Sequence, residues 1–225
     1  MSSDLLLKNQ YINEKLNNNL KINIKHKNLV SSVFVRIKKH KDKEYAYLVE
    51  NIWTKKGTRQ KSRKYLGRIV DFSKSTVPMK DYLKTAKTAE EFEIEEFKKR
   101  DFDSAIKKLL EIELLKLGFK KKAEFAFEKE FNGKTFNVDL KELNFVSGKK
   151  NFVIKNNEGF ICRETIENLL GTRIEKKESE TEQRNALIKE LLKNLLEAGL
   201  KPEKDFLLLL HDKCLEKISN TDKKK

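Results

Sequence analysis

A chain of 225 residues with 50 Lys and Arg against 35 Asp and Glu carries a net charge of +15, and at 38% hydrophobic it can fill one large core or two small ones. Fourteen Phe and two Pro argue against a disordered chain, and no apolar run reaches the roughly 18–20 residues that span a bilayer. The first 16 residues lack both the basic start and the apolar stretch of a signal peptide, so a soluble, cytoplasmic chain is expected.

The placement of the charge says more than its sum. Residues 1–80 hold 19 Lys and Arg and 6 Asp and Glu, a net of +13, which leaves 31 and 29, a net of +2, for residues 81–225. Lysines spread evenly would indicate only a solvated surface. A positive field concentrated in one third of the chain attracts a polyanion.

In chain order, residues 1–30 read as a short helix over 5–16 followed by a polar Asn-rich arm. Residues 31–75 read as a basic β-module of three consecutive strands. The first alternates apolar and basic residues up to Lys38, and the second is dense in Tyr, Val, Ile and Trp. The third ends in Tyr65-Leu66-Gly67-Arg68-Ile69-Val70. Polar turns at 40–43 and 55–58 join them into a meander, with Gly57 available for positive φ. Residues 76–100 read as a linker and an acidic helix that begins at Thr88-Ala89-Glu90-Glu91.

Residues 101–220 read as an α/β domain. Asp103 or Ser104 caps an amphipathic helix that Gly118 ends, and Asn132-Gly133 signals a hairpin, with a continued helix over 121–131 as the alternative. Strands are expected over 135–140 and 151–155, and a short helix over 163–170. Two further helices, joined through Gly199 and Pro202, form an αα-hairpin. Residues 221–225 are expected to be a disordered tail. The fold class is therefore α+β: a basic three-stranded antiparallel meander, then a mixed domain with a β-hairpin and several helices. Leu191, Leu192, Leu195, Leu196 and 207–210 offer more apolar surface than one helical hairpin buries, so a homodimer through these helices is one way to cover it.

Segment 44–68 carries the chemistry. Lys55, Lys56, Arg59, Lys61, Arg63, Lys64 and Arg68 are interleaved with Tyr45, Tyr47, Trp53 and Tyr65, and Arg36 and Lys38 lie on the preceding strand. On a strand, Arg59, Lys61 and Arg63 share a face, with Gln60 and Ser62 opposite. Their spacing of roughly 6.6–6.8 Å is comparable to that of successive phosphates. Arginine also pairs bidentately with phosphate or a guanine edge, and a small sheet can lie in the major groove. Arg36, Lys38, Lys55, Lys56, Arg59, Lys61, Arg63, Lys64 and Arg68 are thus the candidate nucleic-acid contacts. The aromatics are expected to form the sheet's own core; stacking on unpaired bases is their other use.

Tyr47-Leu48-Val49-Glu50, Arg59-Gln60 and Tyr65-Leu66-Gly67-Arg68 resemble the opening region of certain insertion-sequence transposases, and of short archaeal proteins that share only this region. The resemblance implies a β-rich module that holds DNA through Arg59, Arg63 and Arg68. It stops there: beyond Leu117 the chain does not align with a DDE catalytic core and shows no Asp, Asp, Glu set. Transposition is not carried over.

Other candidates are weaker. Cys162-Arg163-Glu164-Thr165-Ile166 opens a helix that suits a helix-turn-helix, with Arg163, Glu164 and Asn168 towards bases, but a strand precedes it. Cys162 and Cys214 sit in apolar segments and read as buried small hydrophobes. His211 and Cys214 are three apart on one helix without further ligands nearby, so no metal and no cofactor are expected. No phosphate-cradling loop or nucleophile elbow occurs. The expectation is a non-enzymatic, nucleoid-associated protein that binds double-stranded DNA. An RNA-binding or ribosome-associated protein is the alternative, and a nuclease or recombination enzyme is third.

Overall fold

Three strands, β1 (Val33–His40), β2 (Lys43–Thr54) and β3 (Gly57–Asp71), form the expected antiparallel meander. Lys41, at φ +52°, bends the first turn, and Gly57, at φ +103°, occupies a conformation that side chains resist in the second. The Thr54 hydroxyl donates to the Gly57 carbonyl at 2.7 Å and closes that turn. The computed structural model describes residues 33–55, 57–73, 97–173 and 179–222. The arm expected over 1–30, Lys56, most of the 76–100 linker with its acidic helix, and residues 223–225 lie outside the described residues.

β3 does not end with the meander. Its last four residues, Arg68 to Asp71, pair in parallel with Phe152 to Lys155 of β8 (Lys150–Asn156). Through β8 the sheet continues into β7 (Asn144–Ser147), β6 (Lys134–Asp139), β5 (Ala126–Phe131) and β4 (Lys120–Lys121), and β9 (Gly159–Ile161) pairs with the far end of β8. The division between a 31–75 module and a 101–220 domain is therefore corrected: both share one nine-stranded sheet and one unit, Val33–Lys225. Asn132 and Gly133, at φ +50° and +68°, make the β5–β6 turn as their sequence demands.

Among the described residues there are four helices. α1 (Phe102–Lys116) starts two or three residues earlier than expected: Asp101 is the cap, and its carboxylate accepts from the Ser104 N–H at 2.7 Å. α2 (Arg163–Leu170) follows β9 directly. α3 (Glu180–Glu197) and α4 (Lys204–Asp222) form the helical hairpin around Gly199 at φ +69°. α4 runs two residues into the segment expected to be a disordered tail.

The root of the sheet is covered on both faces. On one, Val70, Phe152 and Ile154 join the helices in the main core. At its centre Phe72 is fully buried, with the rings of Phe119, Phe131 and Phe136 edge-on at 5.2 Å each. On the other, Ala46, Leu66, Ile69, Val153 and Cys162 form a small second cluster. Leu191, Leu195, Leu207 and Leu210 lie in the main core with α1 and the sheet, and of the helical leucines only Leu196 is a markedly exposed one, at 48%. The apolar surface that suggested a dimer is thus satisfied within one chain.

The β8–β9 turn is tied to the α3–α4 loop. Asn156 and Asn157 each donate a side-chain N–H to the Gly199 carbonyl, at 2.9 and 2.7 Å. Gly159 allows the two backbones to meet: a Cβ there would stand 2.1 Å from the Leu196 oxygen.

Candidate nucleic-acid interface

The meander outgrows the body that supports it. All nine residues of β3 from Gly57 to Tyr65 are exposed, whereas Leu66, Ile69 and Val70 are buried. At about 3.3–3.4 Å per residue, the exposed part is a ribbon of roughly 30 Å.

Cross-strand partners point to the same side of a sheet, so the register assigns the faces. Arg59 lies opposite Ile52, Lys61 opposite Glu50 and Lys64 opposite Leu48, all on the side of the small cluster. Gln60 and Ser62 lie on the other side, where Arg36 donates to Gln60 Oε1 and Lys38 to Ser62 Oγ at 3.2 Å. The register slips between Leu48 and Val49 and again between Ala46 and Tyr47, so β3 carries two bulges that place Arg63 and Leu66 as extra residues. The first bulge lets Arg63 reach Glu50 while Lys64 keeps the cationic face.

The candidate residues are thus divided. Arg59, Lys61, Arg63 and Lys64 belong to one face. Arg36, Lys38 and Arg68 belong to the other, and Lys55 stands exposed in the turn. They also differ in what they hold. Arg63 is ion-paired with Glu50, whose residue is only 8% exposed, and Lys64 pairs with Glu164 of α2 at 2.7 Å. Among the described residues, Lys55, Arg59, Lys61 and Arg68 have no ion-pair or hydrogen-bond partner. Sequence alone could not separate these groups, because both carboxylates that decide the matter come from other elements.

The second face is aromatic. The Tyr65 ring lies 5.3 Å from that of Tyr47 and 6.3 Å from that of Tyr45, and Lys38 Nζ stands 4.6 Å above Tyr47. Partial burial, then the neighbouring Tyr45 and Tyr47, raise the Tyr65 hydroxyl above its ordinary pKa, so it stays protonated. Tyr45 and Tyr47 are half-buried, near what core packing predicts. Trp53 and Tyr65 are exposed, at 67% and 48%, and the expectation that they belong to a core is corrected.

α2 is not placed as a recognition helix. A strand precedes it, Arg163 donates to the Leu143 and Glu142 carbonyls, Glu164 holds Lys64, and Ile166 and Leu169 are buried. It braces the root of the ribbon.

Among the described residues, no three of His, Cys, Asp and Glu gather as a metal set, and no helix is long and apolar enough to cross a membrane. Burial pushes the thiols of Cys162 and Cys214 up to about 11 each. The neutral thiol is favoured in the fold, so the stability this represents is present below the ordinary thiol pKa of about 8.5 and is lost as pH rises towards 11. A thiol-reactive dye at pH 8 is expected to leave both cysteines of the folded protein unmodified and to label both in denaturant. Rapid labelling of the native chain would contradict their burial.

No family model, no curated protein and no solved structure matches the chain. A functional reading therefore rests on the ribbon itself.

Proposed function

We propose that this chain binds double-stranded DNA through the β1–β3 ribbon, mostly by contacts to phosphates and without catalysis. The observation that carries the reading is the set Lys55, Arg59 and Lys61, three exposed cations at the outer end of the ribbon. Each lacks an acidic partner among the described residues. Their charges are therefore available to displace counterions from a polyanion, the term that dominates non-specific DNA affinity. A ribbon of two or three strands also has the dimensions to enter a groove. The resemblance to the opening region of insertion-sequence transposases falls on the same strands and points to the same partner. Such a protein belongs with the nucleoid.

A second reading has its own support. Exposed Trp53 and Tyr65 give unpaired bases something to stack on, which suits single strands or RNA.

Affinities for a labelled duplex of about 30 base pairs, its single strand and duplex RNA, each across a salt series, separate the two. The expected result is preference for duplex DNA, with log K falling linearly against log salt. Tighter binding of RNA or the single strand favours the aromatic face. Absence of binding at low salt means the cations are only a solvated surface.

A further inference from the structure

Trp53 is the one tryptophan of the chain. Among the described residues it is also the most exposed of the large hydrophobics, at 67%, and stands at the end of β2 beside the turn. Its cross-strand partner is Thr58, too small to cover an indole. A Cβ at Gly57 would meet nothing within 4 Å, so the turn is open on its outer side. Lys55 follows it by two residues in the turn, and Arg59, next to Thr58, projects from the opposite face of the same tip.

An indole this exposed is a large apolar surface that a partner gains by burying. The neighbouring charges state what kind of partner: cations beside an aromatic suit an anion that presents flat apolar faces, which is a nucleic acid. The position distinguishes two uses. A single-strand platform lays successive aromatics along the path of the backbone. Here Tyr45, Tyr47 and Tyr65 are packed against one another farther back, and a single ring is left at the tip. Strand readers enter either groove, and minor-groove binders insert apolar side chains between base steps.

We infer that Trp53 is a wedge: the hairpin tip enters a groove of duplex DNA, the indole inserts between two base pairs, and Lys55 and Arg59 hold the flanking phosphates. Insertion of this kind unstacks the step and bends the duplex. The inference rests on the duplex-binding reading above and adds to it a site and a deformation.

The test uses the full chain. Tryptophan emission reports the tip alone, since there is no second tryptophan. It is followed on titration with an unlabelled duplex, and energy transfer across an end-labelled duplex reads the bend. Duplex DNA is expected to quench the emission and shorten the end-to-end distance. Trp53→Ala, checked for folding by circular dichroism, is expected to abolish the shortening and weaken binding about tenfold, while Trp53→Phe retains most of both. Duplex binding with unquenched emission and straight DNA overturns the wedge and leaves ribbon binding standing. No duplex binding overturns both. Stronger quenching and tighter binding by the single strand overturn insertion in favour of stacking on unpaired bases.

Discussion

Replacing Lys55, Arg59 and Lys61 together by alanine is expected to weaken duplex binding roughly 150-fold at low salt, taking about 1 kcal/mol for each charge beside a phosphate in water. The slope of log K against log salt should flatten by about 3, because each lost phosphate contact removes about 0.9 of a released counterion. The fold should be unaffected, since all three side chains are exposed and hold no partner among the described residues. Arg63→Ala makes the sharper comparison. Its guanidinium is already offset by Glu50, so its loss should change affinity less than about threefold, well under one full charge contact. It should instead cost about 1.5 kcal/mol of stability, because Glu50 is left largely buried without its charged donor. Binding isotherms across a salt series and urea unfolding read both quantities. Wild-type affinity in the triple variant would remove the cation row from the proposal. An Arg63 variant that binds as poorly as Arg59→Ala would show that ion pairing does not decide which cations act.

Gly159→Ala is expected to cost about 3 kcal/mol or more, through overpacking that no side-chain motion relieves. The added carbon would lie 2.1 Å from the Leu196 oxygen, 2.4 Å from the Gly199 nitrogen and 2.7 Å from the Glu197 oxygen. All three are backbone atoms, so the β8–β9 turn must part from the α3–α4 loop. The bonds from Asn156 and Asn157 to the Gly199 carbonyl would loosen with it. Gly148→Ala is the control. Gly148 has φ +59° with nothing within 4 Å of a Cβ, so only the left-handed backbone is penalised, at about 1 kcal/mol. Urea midpoints of the two variants should differ clearly. Equal losses would mean the close approach at Gly159 does not hold the helical hairpin to the sheet.

The elements that local chemistry dictates were legible in the sequence. Alternation and two turns marked the meander, Asn132-Gly133 marked the β5–β6 hairpin, and Gly171 and Gly199 marked where helices stop. The joining of β3 to β8 was not legible, because a parallel pairing between residues some eighty apart leaves no local pattern. β7 was also missed: four residues, Asn144–Ser147, are too few to show a period. At the candidate site, composition found the cations and their alternation. It could not find the bulges, which depend on register, nor the pairing of Lys64 with a helix a hundred residues away. The exposure of Trp53 escaped for a related reason. A strand rich in aromatics looks half-buried wherever a second layer exists, and among the described residues it is α2 that meets the ribbon, through Glu164 and Lys64.

That uneven support gives the molecule two free-energy scales. Near Ile69 and Val70, with hydrophobic clusters on both sides, strand separation exposes the core, so backbone amides there open only as the whole unit unfolds. Between Gly57 and Gln60, opposite Thr54 to Asn51, the strands are held by their own ladder, and the apolar residue that opening uncovers from partial burial is Ile52. The outer ribbon can therefore unzip from its tip and close again while the body stays folded. Hydrogen exchange would see it as a separate, faster unit, and a bound polyanion would gain part of its effect by keeping that unit closed.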